Sequence, residues 1–338
     1  MATQDSLAGM SNLLMYSAMA VYTGALGAYA LDLAGRGAAV GQVPAVVRAP
    51  ATVGGPGAPD VSGVAAGDDA RPAVPPRRRN VVGIAIALTW LAFAFHLGAV
   101  VARGVAAGRA PWGNMYEFAT TGALVVTGVY LAVLRRRDVA YLGTFVVGPV
   151  LLTLGLAIAV LYTPDAQLVP ALQSYWLVIH VSVAFVASAL FTLGFSTSVL
   201  QLVQHRREEA RAQGRVLRGG RFMDALPAAA ELERSAYRLH VVAFPLWTFT
   251  VIAGAIWAEH AWGRYWNWDP KEVWSFVIWV VYAGYLHARA TRGWDGRRAA
   301  WFAIAGYGCV LFNFLVVNIF FVGFHSYAAS EPPRPGGV

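Results

Sequence analysis

Trp262-Gly263-Arg264-Tyr265-Trp266-Asn267-Trp268-Asp269-Pro270-Lys271-Glu272, closed by Trp274, is a run of aromatic and charged residues set between two long apolar stretches. Six of the chain's twelve tryptophans fall between Trp257 and Trp279. An indole is apolar over its flat faces and polar at one edge, so such a cluster suits either anchoring in lipid headgroups or packing against a large planar ligand. The run by itself fits both. Its flanks decide the frame: they read as membrane-spanning helices, with the aromatic run as the loop between them.

The rest of the chain repeats that pattern. With 338 residues, 57% hydrophobic and 13% charged content and a mean hydropathy of +0.52, it is too apolar for a soluble globule. A helix needs about 20 apolar residues to cross roughly 30 Å of hydrocarbon. Eight stretches qualify: Asn12 to Leu31, Val81 to Val101, Phe118 to Leu134, Val139 to Tyr162, Ser174 to Val203, Tyr237 to Trp257, Val273 to Arg289 and Ala299 to Gly323. The expected fold is all-α, a polytopic membrane protein with about eight transmembrane helices. Met1 to Met10 carries Asp5 as its only charge, so the first stretch reads as a retained helix rather than a cleaved signal peptide.

Basic residues orient the bundle. With both termini outside, the inner loops hold 20 arginines, including Arg77-Arg78-Arg79 and Arg135-Arg136-Arg137, and the outer loops hold only Arg103, Arg109, Arg264, Lys271 and Arg334. That asymmetry satisfies the positive-inside rule and places the tryptophan loop on the outer face of the cell membrane. The net charge of +8 therefore reflects topology, and no basic face interleaved with aromatics points to nucleic acid. The single Cys309, deep in the last helix, excludes a disulfide and a Cys-x-x-Cys pair.

Three units follow from composition: an N-terminal transmembrane helix over 1–35, a Pro/Gly/Arg-rich linker over 36–80, and a membrane domain over 81–338. The linker has too few large apolar residues to order a fold and reads as disordered and cytoplasmic. Gln204 to Ala236 mixes arginines with Glu208, Glu209, Asp224, Glu231 and Glu233, the pattern of a solvated or interfacial helix. No repeat of solenoid length is present.

The stretch from Trp262 to Trp274, continuing to Tyr285-Leu286-His287, resembles the tryptophan-rich WWD motif of the haem-handling proteins of cytochrome c biogenesis. Its wording is closest to the CcsA (ResC) branch, called CcsB in some bacteria, the membrane core of the system II cytochrome c synthase. The CcmC and CcmF relatives carry different residues around the same Trp-Asp pair. The resemblance runs from about Trp90 to the C-terminus, and Asn114-Met115-Tyr116-Glu117 is similar to a segment found at that point in the family. With Trp112 and Phe118 it is a second candidate wall for a ligand.

The seven histidines separate by depth. His205, His240 and His260 read as solvated or interfacial, and His96, beside Phe93 and Phe95, as a core histidine. His180 lies six residues into the fifth stretch, roughly 9 Å below the outer boundary at about 1.5 Å per residue, and His325 emerges after the last helix on the same side. Two neutral imidazoles converging on an aromatic slot are what six-coordinate haem iron requires. His287 sits 16 residues beyond Lys271, about 24 Å deeper, and cannot reach the same iron. The resemblance implies the same division. His180 and His325 match the ligands of an external haem b, and His287 matches an internal haem site whose second histidine comes from a ResB (CcsB-type) partner.

The resemblance further assigns Trp262, Gly263, Tyr265, Trp266, Trp268, Asp269, Pro270, Lys271, Glu272 and Trp274 to haem binding. Asp269 and Glu272 also suit a helix cap around Pro270. Lys271, the only lysine, and Arg264 suit either haem propionates or headgroups. The implied activity is transport of haem across the membrane and its covalent attachment to the Cys-x-x-Cys-His segment of apocytochrome c, as a holocytochrome c synthase (haem lyase) subunit, with no side-chain nucleophile of its own. Two alternatives are a haem exporter or chaperone without synthase activity, and a bis-histidine membrane electron carrier. A carrier predicts paired histidines at similar depth, which the lone His287 does not fit.

Overall fold

The computed structural model describes residues 2–40, 76–163, 173–215, 220–291 and 293–325, and among them there is no strand. Its long helices are α1 (Ala2–Val40), α2 (Pro76–Ala107), α3 (Met115–Leu134), α4 (Gly143–Val160), α5 (Tyr175–Ala212), α6 (Ala229–Trp262), α7 (Pro270–Thr291) and α8 (Gly296–Leu311). Beyond α8 the chain continues through a π-helical turn, Phe312–Val317, to Phe320. Seven of these segments are long and apolar enough to cross a membrane. The remaining one, α7, is less apolar, but its 22 residues span about 33 Å at about 1.5 Å each. The chain is an all-α, multi-pass membrane protein.

The expected spans hold, and their ends move. Helix α1 runs on to Val40 and α2 starts at Pro76, so the linker expected over 36–80 is helical at both ends; 41–75 lies outside the described residues. Helix α6 starts at Ala229 rather than Tyr237, because Ala229-Ala230-Glu231-Leu232-Glu233-Arg234 is made of strong helix formers. This shift corrects His240. It lies not at a helix mouth but about three turns in, fully buried among Phe191, Tyr282 and Tyr285, with neither ring nitrogen hydrogen-bonded.

Two half-bundles make the core. In the first, α1 and α2 lie antiparallel along a seam with heptad spacing: Met15, Ala18, Tyr22, Ala25 and Tyr29 face Ala85, Thr89, Ala92, His96 and Ala99, all buried. Ser11 Oγ donates to Ala99 O at 2.8 Å across it. Lipid gives apolar helices little reason to associate, so small residues that allow close backbone approach, and polar bonds across the seam, hold the pair together. The first helix is thus part of the bundle, and His96 is a seam residue whose Nδ1 lies 3.5 Å from Tyr22 Oη. Tyr130 Oη donates to Tyr29 Oη at 3.2 Å and ties α3 to α1.

The second half joins α5 to α8 around Phe191 and Tyr282, whose rings stack 3.8 Å apart. Glu233 on α6 pairs with Arg289 at the end of α7 and accepts the Gly296 amide at 3.0 Å, closing one end of the bundle. The opposite end holds the tryptophan segment. There α5 leads in, α6 ends, α7 begins and the tail after α8 arrives.

Candidate functional site

The tryptophan segment is shorter as a loop than its sequence suggests. Trp262 is the last residue of α6, and Gly263 caps the helix at φ +70°, a conformation costly for any residue with a Cβ. At the other end, Asp269 and Glu272 form a reciprocal cap around Pro270. Asp269 Oδ2 accepts the Lys271 amide at 3.0 Å, and Glu272 Oε2 accepts the Asp269 and Asn267 amides at 3.1 and 2.8 Å. The capping expected from the sequence is therefore met.

Between these caps Trp268 has φ +58°, the only non-glycine positive φ among the described residues, and its side chain is 78% exposed. A bulky residue held there stores about 1–3 kcal/mol of strain. Replacement by glycine should remove most of it, so Trp268→Gly is expected to stabilise the ligand-free protein by about 1 kcal/mol in a detergent melt. A lower melting point would show that the indole is docked rather than presented.

His180 and His325 converge at this end. His180 stacks on Trp257 at 6.2 Å and 13°, and His325 meets the same indole edge-on at 5.5 Å and Trp262 at 5.0 Å. Their tautomers follow from their partners. His180 Nδ1 lies 2.8 Å from Thr250 O, a carbonyl that only accepts, so Nδ1 carries the proton. His325 Nδ1 lies 2.8 Å from Asp269 Oδ2, which imposes the same choice. With Nδ1 carrying the proton, Nε2 is the nitrogen that each ring can offer to a metal in its neutral form. Gly254 makes room for the first ring, since a Cβ there would lie 2.8 Å from His180 Cε1.

Asp269 is saturated. Besides Lys271 N and His325 Nδ1 it accepts the Phe324 amide at 2.6 Å, and it is nearly inaccessible. Burial alone would raise its carboxyl, but the hydrogen bond and charge of His325 and the two amides outweigh it and hold the group below the usual carboxylate range.

Both histidines line a cavity of about 310 Å³ that runs along α5 to Thr192 and Tyr307, with Phe118, Phe185 and Trp247 among its apolar walls. Four residues of the motif, Tyr265, Trp266, Lys271 and Glu272, line it as well. The others stand elsewhere. Trp262 packs behind His325, Trp274 packs on Phe312 at 4.1 Å, Trp268 projects, and Gly263, Asp269 and Pro270 serve the two caps.

The Asn114 to Phe118 segment reaches the same place. Phe118 stacks on Phe314, and Trp112 meets Phe185 at 6.0 Å. Lys271 is engaged with the protein itself: Nζ donates to Asn313 O at 3.2 Å and to Asn318 Oδ1, pinning the π-helical turn. Arg264 donates to Asn267 Oδ1.

His287 stays apart. It is exposed on α7, on one stripe with Phe276 and Val280, and it does not line the cavity. His205 pairs with Glu209 and His260 with Glu259, both at the surface as expected. Sequence reading missed Trp257, Thr250 and Gly254 as parts of the site. Trp257 stood inside the tryptophan cluster and so carried a signal; a backbone carbonyl and a glycine that matters for what it lacks carried none.

Residues 112–325 match the family described as cytochrome C assembly protein. The chain belongs to the CcsA family of cytochrome c assembly proteins. It is 34% identical over 281 residues to the cytochrome c biogenesis protein CcsA of Synechococcus sp. (strain JA-2-3B'a(2-13)), covering 68% of this chain and 80% of the relative. To a CcsA of Prochlorococcus marinus it is 35% identical over 274 residues, covering 73% of this chain and 84% of the relative. Among solved structures it resembles the cytochrome c haem lyase CcmF, with a TM-score of 0.57 and 18% identity over 91% of this chain and 47% of that one. At that identity the likeness speaks for the fold alone.

Proposed function

We propose that this CcsA-family protein acts in cytochrome c biogenesis as the subunit that carries haem b across the membrane and holds it for covalent attachment to apocytochrome c. One observation carries the reading: two imidazoles on separate elements, each tethered through Nδ1 so that Nε2 is left to bind, share one indole beside an apolar cavity. Two axial nitrogens and flat apolar walls are what a porphyrin iron needs. Tyr265 and Trp266 complete the wall, and the basic-residue asymmetry of the sequence puts this end outside.

His287 would serve entry from the inner side. The rise along α7 puts it about 24 Å below Lys271, and its exposure on the Phe276–Val280 stripe suits a second histidine from a ResB-type membrane partner rather than from this chain. In the attachment step each substrate thiol adds across a vinyl group of haem: a carbon–sulfur bond forms, and the thiol proton ends on the neighbouring vinyl carbon. No electrons are gained or lost overall. The thiols belong to the substrate's Cys-x-x-Cys-His segment, and the chain's part is to orient the haem and leave its edge reachable.

Coexpression with a ResB-type partner, in a host stripped of its own maturation system, tests this. An exported apocytochrome should acquire haem that survives denaturing electrophoresis, and substrate Cys→Ser variants should not. Haem export without thioether bonds to the intact substrate would replace the synthase reading with that of an exporter. Within the same complex, His287→Ala should lower total copurified haem, whereas His180→Ala should leave haem at the inner site. Equal losses would argue for a single site.

A further inference from the structure

We propose that Asp269 is a positioning residue for the outer site, acting through His325 and not by touching the ligand; the inference rests on the haem-holding reading above. Its carboxylate joins three things. Oδ2 caps α7 through the Lys271 amide and accepts from His325 Nδ1, and Oδ1 accepts the Phe324 amide. The segment that carries His325 follows the last helical turn at Phe320, and a hydrogen-bonded tether is what gives a ring on such a tail a defined direction.

The surrounding residues are built for this contact. A Cβ on Gly323 would collide with Asp269 Oδ1, so the tail approaches the carboxylate as closely as it does because residue 323 has no side chain. Lys271 braces the other side. Its Nζ holds Asn313 O and Asn318 Oδ1, fixing the π-helical turn from which the tail leaves. Asp269 is 2% exposed and does not line the main cavity, so it reaches a ligand there only through the imidazole.

A carboxylate on the distal nitrogen of a ligating histidine has two effects. It fixes tautomer and ring plane, and it raises the basicity of the ligating nitrogen. The two ligands are therefore unequal. His180 gives its proton to the neutral Thr250 carbonyl inside the bundle, whereas His325 gives its proton to a charged group. The structure assigns to His325 the stronger electron donation, and to Asp269 its control.

Asp269→Asn separates this role from helix capping, because asparagine caps as well as aspartate does and would keep α7 intact. Facing His325, an asparagine has either a neutral carbonyl or an NH₂ group, and both weaken or reverse the contact. In the complex with its membrane partner, the ligand-free Asp269→Asn protein, which keeps one acceptor and so can serve the Lys271 or the Phe324 amide but not both, should melt a little below the wild type. Asp269→Ala should melt lower still. Haem retention at the outer site should fall about 10–100-fold in Asp269→Asn. The midpoint potential of the remaining outer haem should rise, because weaker donation favours the reduced iron, and added imidazole should restore retention.

Unchanged retention and midpoint potential in Asp269→Asn would overturn the proposal while leaving the haem-holding reading intact. Lower retention that imidazole does not restore, with an unchanged potential, would also overturn it. A wild-type complex that holds no haem would instead remove the reading on which it rests.

Discussion

His180→Gly and His325→Gly are each expected to cut haem retention at the outer site by more than about 100-fold, beyond what losing the hydrogen-bond partner of a ligand costs a metal site. On the proposed reading each deletion removes one of two axial nitrogens, and no other histidine among the described residues lines the cavity. His260, just before the tryptophan segment, directs its Nδ1 to Ile256 O and Glu259 and does not line the cavity. Each glycine also leaves a space shaped like imidazole. Beside His180 that space keeps the Thr250 carbonyl as hydrogen-bond acceptor and the face of Trp257; beside His325 it keeps the Asp269 carboxylate. Millimolar imidazole should therefore restore part of the haem and its six-coordinate spectrum. His325, 23% exposed on a tail, should respond at lower imidazole than His180, which is packed against α6. Pyridine haemochrome content of the purified complex is the measurement. Wild-type haem content and spectrum in His180→Gly would remove that residue as a ligand.

The second large effect concerns stability. Glu117 is fully buried at the start of α3 and supplies the carboxylate of a cluster with two arginines: Arg103 Nε at 3.1 Å and Arg109 Nη1 at 2.6 Å. It also accepts the Gly113 amide at 2.9 Å, while its own amide is capped by Asn114 Oδ1 at 2.8 Å. Removing one member of a buried ion pair leaves uncompensated charge in a poorly solvated place and typically costs about 3–5 kcal/mol. Glu117→Ala should lose about that much in thermal unfolding of the ligand-free protein in detergent. Glu117→Gln, which keeps an acceptor but not the charge, should lose less. Because this cluster holds Trp112 and Phe118 against Phe185, Glu117→Ala should also loosen the cavity wall. A melting point equal to that of the wild type would mean that water already solvates the arginines.

Membrane segments and the aromatic site were legible in the sequence for the same reason: both depend on residue type more than on distant contacts. Lipid admits only long apolar helices, so their existence could be read from hydropathy, and the arginine bias gave an orientation. Helical rise put His180 near one boundary and His287 about 24 Å from Lys271, topology put His325 on the side of His180, and α7 is helical from Lys271 to His287. The cap around Asp269 and Glu272 was equally local, a matter of two carboxylates flanking a proline. Helix ends were less legible. Ala229 to Arg234 is a run of strong helix formers whose charges read as an interfacial loop, and because it extends α6, His240 lies about three turns in and is buried.

Tertiary structure alone decided what the polar groups of the site do. Whether Lys271 meets a ligand or a neighbouring helix is not a property of lysine; it depends on a π-helical turn 42 residues away whose carbonyl is free to accept. Asp269 read equally well as a cap or a ligand contact, and in the fold it caps α7 and directs His325 across 56 residues of chain. Thr250 O and Gly254 enter the site through backbone and absence of side chain, which leave no mark in composition. Sequence determined which residues exist at each depth of the membrane, because hydrophobic matching acts on each helix separately. Which nitrogens remain free to bind was decided by hydrogen bonds between helices, and these exist only once the bundle has closed.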